Sequence, residues 1–249
     1  MKLLKVLLIL IFPALVFAQS GTMNIHLSDK SVKHFKIDKI ESITFATQGG
    51  MGTIVVLGSS TAAGNGPSSI DSAWVNRYRT YLLKFNIFNK VINLAVGGYT
   101  TYHIMPNGYT PPSGKPAPSV GHNITKALAL NPTAIIINLP SNDAARGYSV
   151  EEQIDNYKTV INLATAANVP VWIATPQPVN YSTTIRESLI EMRDSTYSIW
   201  GNKAINFWTT IATSTGKINS QYNSGDGTHL NSAAHKILFE RVAAKDIFR

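Results

Sequence analysis

Thr53-Ile54-Val55-Val56-Leu57-Gly58-Ser59-Ser60-Thr61-Ala62-Ala63-Gly64 is the stretch on which the fold turns. Ile54 to Leu57 is a short, apolar, largely β-branched run, the pattern of a strand covered on both faces in a parallel sheet. It feeds a turn of small residues and then a helix, where the free N–H groups of a helix start gather around one side chain. Taken alone, the Ser-Ser-Thr run reads as a helix N-cap. A phosphate loop is disfavoured because no Lys follows at the required spacing. A Gly-x-Ser-x-Gly elbow is also missing, since Ala62 stands where its second glycine would be.

Working toward the C-terminus, strand-like and helix-like stretches alternate. Trp74, Tyr78, Tyr81, Leu82 and Phe85 recur at helical spacing, and Val91-Ile92-Asn93-Leu94 reads as the second strand. A Gly/Pro-rich loop, 98–121, leads to a helix around Ile124 to Leu130, and Ala134 to Leu139 is the third strand. Ser149 and Glu152 have capping-box spacing ahead of a helix bearing Ile154, Tyr157, Val160 and Ala164 on one face. Val169 to Ala174 is the fourth strand. Thr184 and Glu187 form a second capping box, Ala204 to Phe207 reads as the fifth strand, and Asn231 to Ala244 closes the chain as a helix. Five strands with intervening helices predict an α/β protein, a three-layer α/β/α sandwich on a five-stranded parallel sheet. In such a sheet the site lies beyond the carboxyl ends of the strands.

Working toward the N-terminus, the linker 48–52 is rich in glycine, and the residues before it differ in pattern. Met23, Ile25 and Leu27 alternate with polar residues, Ser28-Asp29-Lys30 makes a turn, and Val32 to Ile37 alternates again. With a third stretch at Ile40, Ile43 and Phe45, residues 19–47 read as a small N-terminal β module or as an extra edge of the main sheet. Residues 1–18 read as a signal peptide: Lys2 and Lys5, an apolar run from Leu7 to Phe17, then Ala18 before Gln19. That run is too short to span a bilayer, which needs about 20 residues. No cysteine follows to carry a lipid, so the expectation is a secreted or periplasmic protein without stable membrane insertion. The domain proper is then 53–249.

The 249 residues contain no cysteine, which removes thiol nucleophiles and Cys-based metal sites. The net charge of +8 is spread along the chain with no run of four basic residues, so nucleic acid is not an expected partner. His229 and His235 are six apart with no third ligand at hand, so neither a metal nor another cofactor is expected.

Three more groups fall behind predicted strands or ahead of the last helix. Asn93-Leu94-Ala95-Val96-Gly97-Gly98 leaves strand two, and its glycines suit a tight turn. Ser141-Asn142-Asp143 follows strand three and suits a helix cap. Near the end stands Asp226-Gly227-Thr228-His229. At that spacing the carboxylate can accept from Nδ1–H and leave Nε2 outward, although such a pair is more often a surface feature. Each group has an ordinary structural reading; their joint arrival at one edge of the sheet does not.

These four groups resemble the blocks of the SGNH (GDSL-type) hydrolases, which supply Ser, Gly, Asn and His in this chain order. The resemblance runs from about residue 53 to the end, and it implies a flavodoxin-like sheet and a secreted bacterial serine esterase. It implies Ser60 as nucleophile, His229 as general base and Asp226 as its partner. The oxyanion donors it implies are the N–H groups of Ser60 and Gly98 and the amide of Asn142, with Gly97 as the alternative to Gly98. The chain departs from the family pattern where Ser59 replaces an Asp and where Pro140-Ser141 replaces a Gly. The short N-terminal segment resembles a module found ahead of secreted enzymes in Bacteroidetes-like bacteria.

The substrate expected from export, low charge and this resemblance is a small-molecule or polysaccharide ester, with acetyl removed from carbohydrate. Tyr99, Tyr102, His103 and Tyr109 lie beside the expected oxyanion site and suit stacking on sugar rings, or packing within their own loop. The alternatives are a lysophospholipase or thioesterase on the same machinery, and a non-catalytic carbohydrate-binding protein of the same fold. Oligomeric state is not readable from the sequence.

Overall fold

A computed structural model describes residues 21–26, 30–39, 52–139 and 141–247. The expected leader, the expected third N-terminal stretch, the linker through Met51, and Pro140 lie outside the described residues. The chain divides into two compact units, Met1–Ala46 and Thr47–Arg249.

In the first unit, β1 (Thr22–His26) and β2 (Val32–Lys36) pair antiparallel, with Met23 opposite Phe35 and Ile25 opposite Lys33. His34 Nδ1 and Asn24 Oδ1 lie 2.6 Å apart across the hairpin. A 3-10 turn, Ile37–Lys39, follows.

The second unit begins with β3 (Thr53–Gly58), α1 (Ser60–Ala63), α2 (Trp74–Leu83) and β4 (Lys90–Asn93). Then come α3 (Ile124–Leu128), β5 (Ala134–Asn138), α4 (Asn142–Ala145), α5 (Val150–Ala166) and β6 (Val171–Ala174). It ends with α6 (Thr183–Trp200), β7 (Ala204–Ile205) and α7 (Ser232–Ala243). The described strands form one parallel sheet in the order β4-β3-β5-β6-β7. Because consecutive strands lie on either side of β3, the carboxyl ends of β3, β4 and β5 meet at one place, with Val56 beside Asn93 and Gly58 beside Asn138.

Strand alternation divides the core into two layers. Ile54, Val56 and Ile136 pack with Trp74 and Tyr78 of α2 and Leu238 and Val242 of α7. Val55, Leu57, Ile135 and Ile137 pack with Ile124 of α3, Tyr157 and Val160 of α5 and Met192 of α6. The sheet is therefore sandwiched between helices, as the continuous apolar strands require.

Several boundaries differ from the sequence reading for local reasons. The helix expected to open with Thr184 and Glu187 instead starts at Thr183, because the Ser182 hydroxyl accepts from the Ile185 N–H and takes the cap. Ser149 accepts from Glu152 N–H as expected. The reciprocal half of that box is not made, since the Glu152 carboxylate binds Tyr102 Oη at 2.5 Å and Lys115 Nζ at 2.5 Å. The fifth strand stops at Ile205 because Asn206 Oδ1 accepts from the N–H groups of Trp208 and Thr209 and bends the chain. Phe207 stays buried nonetheless, edge-on to Trp74 with centroids 5.6 Å apart.

Candidate active site

The site is built where β3 ends. A Cβ on Gly58 would stand 2.6 Å from the Asn138 carbonyl oxygen and 2.8 Å from Ala62 Cβ, so only glycine lets α1 fold back this closely on β5. Ser59 N–H donates to Asn138 O at 3.0 Å. Ser59 occupies the N-cap position, but its hydroxyl makes no capping bond and is buried without a hydrogen-bond partner. Ser60 opens the helix and is partly exposed.

The turn after β4 lies against this helix start. Asn93 Nδ2 donates to Ala62 O at 2.7 Å, Asn93 Oδ1 accepts from Ala95 N–H, and Val96 N–H donates to Gly58 O at 3.2 Å. A Cβ on Gly97 would be 3.9 Å from Ser60 Cβ, so the bare side of Gly97 faces that serine. Gly98 has φ +82° with open space around its Cα.

From β5, Asn142 opens α4 and its Nδ2 donates to Tyr99 O at 2.8 Å. Asp143 beside it is buried and accepts from Thr101 N–H at 3.0 Å and Thr101 Oγ1 at 2.6 Å. Burial pushes the Asp143 carboxyl up to about 6, against the opposing pull of those hydrogen bonds.

The last group sits on a loop ahead of α7, not on the helix itself. Asp226 Oδ2 is 2.5 Å from His229 Nδ1, and Oδ1 accepts from the N–H groups of Thr228 and His229, both at 2.8 Å. Desolvation raises this carboxyl, but the bonds from the His229 backbone, the His229 ring and Thr228 N–H outweigh it and hold it well below the usual carboxylate range. An ionised Asp226 accepts from Nδ1–H and orients the ring with Nε2 facing away from the carboxylate. Asn223 Oδ1 accepts from Gly225 and Gly227 N–H, and Asn231 caps α7 by accepting from Ala233 and Ala234 N–H.

Ser68 N–H and Trp74 N–H donate to Ser232 Oγ and His235 Nδ1 and tie the two ends of this domain together, and two more contacts flank Ser60 and His229. A Cβ on Gly66 would be 2.9 Å from His229 Cβ, so the turn after α1 abuts the histidine. Gln177, in the loop after β6, accepts from Thr61 Oγ1 at 2.6 Å and donates through Nε2 to Thr228 O at 2.8 Å. No hydrogen bond joins Ser60 to His229: neither the Ser60 hydroxyl nor His229 Nε2 has a partner among the described residues. Gln177, Thr61 and Asn180, which donates its N–H to Gly227 O, were missed in the sequence. The available signal was a polar residue set between Pro176 and Pro178 directly behind a buried strand.

The ring residues of the 98–121 loop pack on one another. Tyr99 stacks on His103 at 4.3 Å and its hydroxyl is 2.7 Å from Ser119 Oγ, while Tyr102 is buried and Tyr109 leans on it. Tyr102 also meets Tyr148 edge-on outside the loop, with centroids 5.6 Å apart. Among the described residues no cluster of His, Cys, Asp or Glu suited to a metal occurs, and no helix is long and apolar enough to cross a membrane.

The sequence matches a known family and the fold matches solved structures. The model of the GDSL-like Lipase/Acylhydrolase family matches residues 56–237. No curated protein matches the sequence significantly. Among solved structures, a lipolytic protein of the G-D-S-L family from Desulfitobacterium hafniense superposes with a TM-score of 0.60 at 15% identity, covering 78% of this chain and 99% of that one. The psychrotrophic esterase EstA from Pseudoalteromonas gives 0.55 at 20% identity, over 78% and 96% of the two chains. A variant of an acetyl-xylooligosaccharide esterase from Geobacillus gives 0.58 at 14% identity, over 80% and 96%.

Proposed function

The chain belongs to the GDSL-like lipase/acylhydrolase family and is an ester hydrolase; from that premise we propose an exported serine esterase that removes acetyl groups from carbohydrate. Ser60 Oγ attacks the ester carbonyl while His229 Nε2 takes its proton, and Asp226 stabilises the imidazolium that results. The carbonyl oxygen becomes an oxyanion held by the N–H groups of Ser60 and Gly98 and by Asn142 Nδ2, each worth about 3 kcal/mol to the transition state. Asn142 spends one amide hydrogen on Tyr99 O, which leaves its second for this oxygen. The C–O bond then breaks, the alcohol leaves with the proton from His229, and water repeats the sequence on the acyl-enzyme.

The observation that carries this reading is the 2.5 Å Asp226–His229 bond on a loop tied through Gln177 to the helix that begins at Ser60. Acetylated saccharide as substrate finds support in the Geobacillus neighbour and in a two-domain esterase active on acetylated mannans, which superposes with a TM-score of 0.52.

Mass spectrometry after a fluorophosphonate probe tests the chemistry. The label is expected on the peptide containing Ser60 and absent in Ser60→Ala. A label on another serine overturns the assignment, and no label points to the non-catalytic carbohydrate-binding alternative. The same spectra report the N-terminus, expected at Gln19 in exported protein. Rates on acetyl against long-chain p-nitrophenyl esters then test the acyl group: faster long-chain turnover would move the reading to a lysophospholipase or thioesterase.

A further inference from the structure

Resting on the serine-esterase reading above, we infer that Gln177 is a positioning residue, a buried crossbar whose side-chain amide sets the distance between the helix bearing Ser60 and the loop bearing His229. Its two hydrogen bonds go to the residue after the nucleophile, Thr61, and the residue before the base, Thr228. These two stretches lie at opposite ends of the domain sequence, so no local geometry holds them in register.

The polarity of the amide is dictated by its partners. Thr228 offers a carbonyl oxygen, which only accepts, so Nε2 must face it and Oε1 must face the Thr61 hydroxyl. Gln177 and Thr61 are both 1% exposed, and a buried polar group left unpaired costs more than its bond contributes. The loop that carries Gln177 is itself anchored: Thr175 N–H donates to Ile205 O, Thr175 Oγ1 accepts from Phe207 N–H, and Asn180 N–H donates to Gly227 O. Tyr181 Oη accepts from Thr228 Oγ1 at 3.1 Å, a second hold on the same residue. The anchored loop after β6 therefore reaches the Thr61 hydroxyl on one side of the reacting pair and the Thr228 carbonyl on the other. Since Ser60 and His229 share no direct hydrogen bond, their separation depends on such outside supports.

The test uses the full-length enzyme and p-nitrophenyl acetate. Gln177→Met keeps the length and removes both bonds; Gln177→Glu turns the donating end into an acceptor against the Thr228 carbonyl. Both are expected to lower kcat by about ten-fold or more with KM nearly unchanged, the signature of a misplaced reacting pair. The rate of fluorophosphonate labelling at Ser60 should fall in the same proportion, all measured well below each variant's Tm. Thr61→Val, which preserves the fold if Gln177→Met does not, should reproduce the fall, and Thr61→Ser, which keeps the hydroxyl, should restore the rate. Gln177→Met added to Thr61→Val should cost little more, because the two act through one bond. A lowered Tm with native kcat and labelling rate in Gln177→Met and Thr61→Val makes the residue a fold stabiliser only and overturns the inference. Ser60→Ala separates the two levels: activity surviving in it overturns the serine reading and the crossbar together. Its loss, beside native rates in the Gln177 variants, overturns the crossbar alone.

Discussion

Asn142 and Asp143 are chain neighbours that the fold puts to different uses. Asn142 is partly exposed at the start of α4 with an amide hydrogen to spare, whereas Asp143 is buried and saturated by Thr101. On the proposed oxyanion role, Asn142→Ala is expected to lower kcat by about a hundred-fold with KM little changed, because such a donor is needed only when the oxyanion forms. An equal loss spread over binding would count against that role. For Asp143 the expectation concerns stability. Its folded value of about 6 lies above the unfolded 3.8, so the folded state holds this proton more tightly. Folding should therefore gain stability as pH falls from above about 6 toward 4, and lose it again as pH rises through the folded value. Relative to Asp143→Asn, which cannot ionise, the native protein should gain about 2–3 kcal/mol between pH 7 and pH 4. Urea unfolding at the two pH values checks it, and a constant difference between the proteins would sink it. Asp226 does not interfere, because it is common to both proteins and cancels in the difference; its value is lowered on folding, so its own contribution is lost as pH falls from near the unfolded 3.8.

At the scale of elements, the turn between α1 and α2 shows how close approach limits sequence. Gly66 has φ +106°, and a Cβ there would lie 2.2 Å from the Leu230 carbonyl oxygen as well as against His229. The obstruction is backbone, which no rotamer change relieves. Gly66→Ala is expected to cost about 3 kcal/mol and to lower Tm by about 6–12 °C. Activity measured well below Tm should fall further than the folded fraction, because the loop bearing His229 is the part pushed aside. A variant as stable as the native protein would mean that the turn and the loop are not packed as described. The helix ends make a complementary point. Ser149 was legible as a cap because its hydroxyl meets a local N–H, whereas the partners of Glu152, Tyr102 and Lys115, come from a distant loop that no spacing rule reaches.

On the scale of the whole molecule, both large core layers are drawn from residues 54 to 247. A chain beginning at Gly52 should then fold alone, keep a two-state melt within about 5 °C of the full-length value and retain esterase activity. Loss of either in that fragment would make the N-terminal unit part of the enzyme's structure. Parallel strands were readable because a sheet covered on both faces demands continuous apolar runs, as in Ile54 to Leu57 and Ala134 to Ile137. β7 was overread by two residues because Phe207 is apolar for the sake of the core and not of the strand.

Taken by itself, the amino-acid order determined the layered fold, the small-residue turn at Ser60 and the local Asp226–His229 pair, since each depends on neighbours within a few residues. Only the tertiary structure decided that the loop tyrosines pack on themselves and that Gln177 joins Thr61 to Thr228. The reason is physical: periodicity and capping are written in short-range contacts, whereas a hydrogen bond between distant stretches exists only once the strands that carry them have found their order.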